Sequence, residues 1–272
     1  LTSSLREWLN LLVRWFHVFA AIMWVGQTYY FTWLDGQFTR AAKASPPSAG
    51  SPSIWMVHSG GFYRVNKRTT LEVAPGEVHW FRWEALMTWL SGLALLFLVY
   101  YSTSGLVDPD VAAISQTRGV LIGLAVLCGG WMVYDLALRS PLGQSEVAFA
   151  TFSLAMIALL AWGLTHVFSG RAAYIHVGAV MGTIMTANVW FQILPSQRKL
   201  IAAAAAGEKF DAPLSAQAKL RSKHNTFMAV PVVFLMISHH FPVATYGDRY
   251  NWQILVALVL LGWGAAKIIR EY

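Results

Sequence analysis

Charge is scarce in this sequence, and so is cysteine. Only 12% of the 272 residues are Asp, Glu, Lys or Arg, against about 25% in an ordinary soluble domain. That deficit excludes a water-solvated globule. A single cysteine, Cys128, excludes any disulfide within the chain. There is no C-x-x-C-H run, so a covalently attached c-type haem is excluded as well. Neither H-E-x-x-H nor two histidines at H-x-x-x-H spacing occurs, and no thiolate or carboxylate set accompanies the histidines. A zinc centre is therefore disfavoured, and the adjacent His239 and His240 are only a weak signal for copper. Internal repeats are lacking, and low complexity is confined to the stretch AAKASPPSAGSPS.

What the sequence does have is apolar length. Hydrophobic residues make up 56% of it, with 13 tryptophans, and mean hydropathy is +0.49. Runs of about 20 apolar residues recur, the length a helix needs to cross about 30 Å of hydrocarbon. The pattern predicts an all-α, polytopic transmembrane helical bundle of about seven spans, forming one domain over residues 1–272. The spans run roughly Leu9–Leu34, Trp80–Tyr101, Arg118–Leu138, Val147–Phe168, Ala172–Leu194, His224–Phe241 and Trp252–Ile269. Leu9–Leu34 is too long for a cleavable signal peptide. Trp and Tyr gather at the span ends as interfacial anchors do.

The net charge of +7 does not point to nucleic acid, because the cations sit in two long loops of a membrane protein. Loop 35–79 carries Arg40, Lys43, Arg64, Lys67 and Arg68, and loop 195–223 carries Arg198, Lys199, Lys209, Lys219, Arg221 and Lys223. Positive loops mark the cytoplasmic side, so the N-terminus is expected outside. Arg6 and Arg14 are the dissenting charges.

With that orientation the eight histidines sort into two layers. His17, His166, His176, His239 and His240 fall near the outer face; His58, His79 and His224 fall near the inner one. His224 and His239 are fifteen residues apart, roughly 22 Å along a helix and about 60° in azimuth. Two haems stacked across a bilayer would use such a separation. Neutral imidazole is a frequent haem ligand, and polar groups inside a membrane usually face a functional interior. His17, His166, His176, His239, His240 and His224 are thus the candidate iron ligands for haem b, one haem at least and two at most. A lone histidine at a helix end is more often an interfacial polar residue, and that reading stands beside the ligand reading for His58, His79 and His176.

Two further stretches read as site segments. In HSGGFYRVNK, Gly60 and Gly61 would let backbone approach a ligand, Phe62 and Tyr63 could stack on a planar ring, and Arg64 could hold an anion. An ordinary glycine turn with exposed cations is the plainer reading. In HWFRWEALMTWLSG, Arg82 and Glu84 enter the membrane between tryptophans; Glu84 beside His79 could act as base or proton relay, or merely neutralise Arg82. Asp135 and Asp35 are similar cases with no assigned role.

The segments MVHSGGFYRV, HWFRWEALMTWLSG, THVFSGRAAYIHVGAVMGTIMTANVWF, PSQRK and HNTFMAVPVVFLMISHHFP resemble the membrane domain of the bacterial cytochrome c-type urate oxidase (urate hydroxylase) family. The likeness runs from the first span through the sixth. It implies a multi-pass protein of the bacterial inner membrane that converts urate and water to 5-hydroxyisourate, two electrons leaving through the protein to a cytochrome c or a quinone. His58, Gly60, Gly61, Phe62 and Tyr63 match the family's His-Gly-rich loop, and His79, Trp80 and Glu84 match its second-span motif. His166, His176, His224 and His240 match its later histidine motifs. On this reading His58, His79 and Glu84 are catalytic and Gly60 to Arg64 bind substrate. Ser59 stands where the family usually has glycine, and His239 where it often has asparagine. The family's cytochrome c domain, which follows a further span, is not in this sequence, so the chain reads as part of a longer one. The alternative expectation is a haem b membrane anchor that carries electrons from a soluble cytoplasmic dehydrogenase, such as a molybdenum hydroxylase of the carbon monoxide dehydrogenase type, docked on the basic loops. A transporter for a purine-like anion would need broken helices at mid-membrane, for which only Pro231 is a hint.

Overall fold

The computed structural model describes residues 2–44, 52–68, 70 and 76–271. It is 76% helical, with one antiparallel hairpin. The elements in chain order are α1 (Ser3–Ala44), β1 (Ser53–His58), β2 (Gly61–Asn66), α2 (Trp83–Leu96), α3 (Gln116–Arg139), α4 (Glu146–Thr165), α5 (Gly170–Ala187), α6 (Leu194–Ala205), α7 (Ala212–Ile237) and α8 (Asn251–Glu271). Two π-helical turns interrupt the regular hydrogen bonding. One, Phe97–Tyr101, extends α2; the other, Asn188–Ile193, joins α5 to α6 in one continuous rod.

Local chemistry sets the helix starts. Ser115, Ser145, Ser169 and Asp211 each accept a hydrogen bond from the backbone N–H three residues on, capping α3, α4, α5 and α7. Six helical stretches among the described residues are long and apolar enough to cross a membrane: α1, α2 with its π turn, α3, α4, the α5–α6 rod and α8. The expected span His224–Phe241 lies in α7, which is not one of the six. Its first half carries Lys219, Arg221 and Lys223, and only its second half is apolar. The segment 195–223, expected as a loop, is instead largely helix. LIAAAAA has high helix propensity, and Pro195 follows directly on the π turn, where the regular hydrogen bonding is already interrupted. The other long loop holds the hairpin. Ser59 and Gly60 both have positive φ (50° and 76°) at its tip, the geometry of a two-residue primed turn, which glycine accepts without strain.

The rod α5 is the centre of the bundle, packed by α2, α3, α4 and α7. Its Ala172, Ala173, Tyr174, Val177, Val180 and Met181 are buried. Small residues let the helices approach. A Cβ on Gly130 of α3 would fall 2.5 Å from Val180 Cγ1, and one on Gly262 of α8 would fall 2.8 Å from Pro231 Cγ in α7. Close glycine contacts are how helices gain van der Waals packing where lipid is as apolar as leucine. By contrast α1 presents Trp8, Leu11, Trp15, Phe19 and Ile22 outward, all of them exposed.

Candidate functional site

Two adjoining cavities open where α1 meets the start of α2. The larger, about 1170 Å³, runs between α1, α7 and the α5–α6 rod. His79, Trp80 and Phe81 line one wall; Arg40, Lys43, Lys219, Lys223 and Arg270 supply cations, with Asp35, Glu146 and Glu271 among them. The smaller, about 380 Å³, is bounded by Ile22, Met23, Tyr30 and Glu84. Gln27, Phe31 and Phe81 belong to both. The shared wall is aromatic: Phe31 and Phe81 meet edge to face at 5.2 Å, and His79 meets Phe81 at 4.6 Å. Glu84 Oε2 is buried and has no hydrogen-bond partner, as has Arg82 Nε, whose guanidinium instead lies over Trp83 and Trp190. Arg82 and Glu84 form no ion pair, so the mutual neutralisation considered from sequence is not what holds them. A buried carboxylate oxygen without a partner, on a residue that lines the smaller cavity, is a candidate proton acceptor.

The hairpin residues sit elsewhere. His58, Gly60, Phe62, Tyr63 and Arg64 are exposed, and none of them, nor Gly61, lines either cavity. Of the residues singled out for chemistry on the inner side, His79 lines the larger cavity and Glu84 the smaller, while His58 lines neither.

Behind the larger cavity lies a buried polar network that sequence reasoning did not assemble. Arg221 bonds Asp135 Oδ1 at 2.5 Å and Asn188 Oδ1 at 2.9 Å. Asn188 Nδ2 donates to Tyr134 Oη (3.1 Å) and Asn225 Oδ1 (3.0 Å), and Asn225 Nδ2 donates to the Met185 carbonyl. Tyr134 Oη lies 2.8 Å from His224 Nδ1, whose ring stacks on Phe149 at 5.0 Å. With the Tyr134 hydroxyl proton on His224 Nδ1, Tyr134 both accepts from Asn188 and donates, and the His224 ring carries its proton on Nε2. The π turn begins at Asn188, as such turns often do at polar sites. Two signals in the sequence pointed here: Asp135 and Arg221 are ionisable groups beside apolar runs, and each needs a partner.

The outer histidines are not one cluster. His17 Nδ1 is 3.0 Å from the Thr88 carbonyl and 3.0 Å from Ser91 Oγ. A carbonyl can only accept, so Nδ1 carries the proton and Nε2 keeps its lone pair. A Cβ on Gly92 would crowd His17 Cε1 at 3.2 Å, so the glycine makes room for the ring. His239 Nδ1 reaches the Met236 carbonyl at 2.7 Å, which leaves its Nε2 open in the same way, and the exposed His240 ring lies 3.9 Å away. A backbone carbonyl on one ring nitrogen with the other free is how metal-ligating histidines are usually oriented. His176 is fully buried; Ala172 holds its Nδ1 and Tyr101 Oη engages its Nε2 at 3.0 Å. His166 is exposed and bonded to its own helix at the Trp162 carbonyl. The donor chemistry thus fits an axial ligand at His17 and His239, while His176 and His224 have no open lone pair in this arrangement. Among the described residues no three His, Cys, Asp or Glu side chains gather to hold a metal ion on their own.

A protein-family model described as urate oxidase N-terminal matches residues 3–272. No curated protein and no solved structure matches the chain.

Proposed function

Since this chain belongs to the urate oxidase N-terminal family, we propose that it is a membrane-embedded, urate-related oxidoreductase. Substrate enters the cavity beside His79; haem b, if bound, would be held by His17 and His239, whose Nε2 atoms are open, and would supply an acceptor for the electrons. The family match over residues 3–272 carries the urate assignment. The six apolar helices support the membrane reading. The second half of α7 completes a seventh span, with the N-terminus outside and the hairpin and α6 on the cytoplasmic face of a bacterial inner membrane. The cations of those segments favour that orientation.

The chemistry follows from the lining. A planar urate anion stacks against Phe81 and Phe31, and Arg40 and Lys219 balance its charge. Water adds its oxygen at C5 as two electrons and two protons leave, giving 5-hydroxyisourate. Glu84 takes a proton through its unpaired Oε2, and His79 orients the incoming water. Haem, when bound, supplies a one-electron redox centre with little reorganisation.

The test uses the purified protein in detergent with urate and oxidised cytochrome c or a quinone, without oxygen. Reduced-haem bands and 5-hydroxyisourate are expected; an unchanged spectrum overturns the activity. A second reading draws on the exposed cations Arg198, Lys199, Lys209 and Lys219, which could seat a soluble dehydrogenase that feeds electrons to the haem. It predicts a copurifying cytoplasmic subunit and no response to urate.

A further inference from the structure

The two faces of the β1–β2 hairpin have different surroundings. The strand register pairs Ile54 with Val65 and Met56 with Tyr63 on one face, and Trp55 with Arg64 and Val57 with Phe62 on the other. The first face leans on α1, where Tyr30 Oη donates to Met56 Sδ at 3.3 Å. The second is open: Trp55 is 65%, Val57 68% and Phe62 78% exposed. Three large apolar side chains side by side on a hairpin face are a contact surface waiting for a cover.

Its position says what the cover is. Helix α1 has 42 residues, roughly 63 Å at 1.5 Å per residue, about twice the hydrocarbon thickness. The Tyr30–Met56 contact fixes the hairpin beside the second half of α1. At that level Tyr30 and Trp33 on α1, and Phe81 and Trp83 at the head of α2, are also exposed. A ring of exposed aromatics at one level of a helical bundle is the mark of a lipid–water interface. Charge agrees. The Arg64 guanidinium lies 5.8 Å over the Trp55 ring, and its Nε donates to Ser53 Oγ. Among the described residues no carboxylate pairs with Arg64. An unpaired cation beside a tryptophan suits a headgroup phosphate.

We propose that the Trp55–Val57–Phe62 face of the hairpin is an anchor in the lipid interface: the three side chains enter the headgroup–acyl boundary, and Arg64 binds an anionic lipid phosphate. The anchor rests on the membrane reading of the helices but on neither urate nor haem. It holds the chain that leads into Val78–Phe81, which line the larger cavity.

The full chain, with Cys128→Ser to remove its one cysteine, is spin-labelled at Phe62→Cys and, separately, at Val57→Cys. It is placed in vesicles of phosphatidylcholine with phosphatidylglycerol. Collisions with oxygen should dominate at both positions, with loss of broadening by a water-soluble nickel chelate. Met56→Cys, on the covered face, should be shielded from both. Arg64→Gln should remove the dependence of the label's depth on phosphatidylglycerol content. Free access of the nickel chelate to positions 57 and 62 overturns the anchor. So does dipolar broadening between labels, which would make the face a contact between copies. Phe19→Cys on the outward side of α1 is the reference: if it too is open to nickel, the membrane reading itself has failed, whereas a lipid-embedded position 19 with a wet position 62 removes only the anchor.

Discussion

His17 and His224 sit at opposite ends of the bundle and use the same ring nitrogen in opposite ways. At His17 the Nδ1 proton goes to a backbone carbonyl, so Nε2 is left with a free lone pair. At His224 Nδ1 accepts from Tyr134 and Nε2 carries the proton. The first is the form a metal ligand takes; the second is a link in a hydrogen-bond network anchored by the Asp135–Arg221 ion pair. The lesson is that depth in the membrane does not assign a histidine its role. The partner on Nδ1 does, because it decides which nitrogen has electrons to share.

The comparison breaks most visibly at the outer end. On the proposed haem assignment, His17→Ala or His239→Ala should lower haem content or shift the haem bands of the purified protein, because each removes one proposed ligand. His224→Ala should leave both unchanged. Optical spectra with and without dithionite decide the matter. Retained bands in both outer variants, with loss in His224→Ala, would reverse the assignment of the two ends.

At the inner end the expected loss is of stability. Asp135 and Arg221 are both buried, so Asp135→Ala leaves a guanidinium without a counter-charge, a cost of about 3–5 kcal/mol. Arg139, which also reaches Asp135 at 2.8 Å, is largely exposed and can turn to water. Pairing Asp135→Ala with Arg221→Met should restore much of the loss, since the charge needing compensation is gone. Thermal unfolding in detergent reads both. Tyr134→Phe is milder. It leaves His224 Nδ1 without its donor, but Asn188 keeps Asn225 as acceptor, so about 1–2 kcal/mol is expected. A Tyr134→Phe variant that unfolds like Asp135→Ala would show that the tyrosine, not the ion pair, holds this end.

Much of the fold was legible because apolar length is a strong signal. The stretches recognised from hydropathy recur as α1, α2, α3, α4, α5 and α8. The half-polar α7 was legible only in its second part, since its first part satisfies its charges on other helices: Arg221 on Asp135, Lys223 on Glu146. Such pairings join residues 86 and 77 positions apart, which no local pattern reports. The site divides in the same way. His79 and Glu84 are close in sequence and end at adjoining cavities. The run around Gly60 reads as a ligand loop or as a turn because both need glycine; in the structure Gly60 has positive φ at a hairpin tip. Asn188 carries no charge and sits in an apolar run, and Asn225 follows the stronger polar signals of RSKH, so nothing nearby marked them as partners.

The smallest effect tests the rule itself. His166 has the same local geometry as His239, with Nδ1 on a carbonyl one turn back in its own chain segment and no hydrogen bond to Nε2. Helix α4 packs on α3, α5 and α8, away from α1, and the His166 ring is exposed. For the proposed bis-histidine haem, a free lone pair would serve only where a second imidazole lies within reach. His166→Ala should therefore leave haem content unchanged and shift stability by no more than about 0.5 kcal/mol, as exposed substitutions usually do. Pyridine haemochrome quantification and a thermal melt suffice to check this. A halved haem content in His166→Ala would mean that a second haem sits against α4, and that the open nitrogen matters more than the helix that carries it.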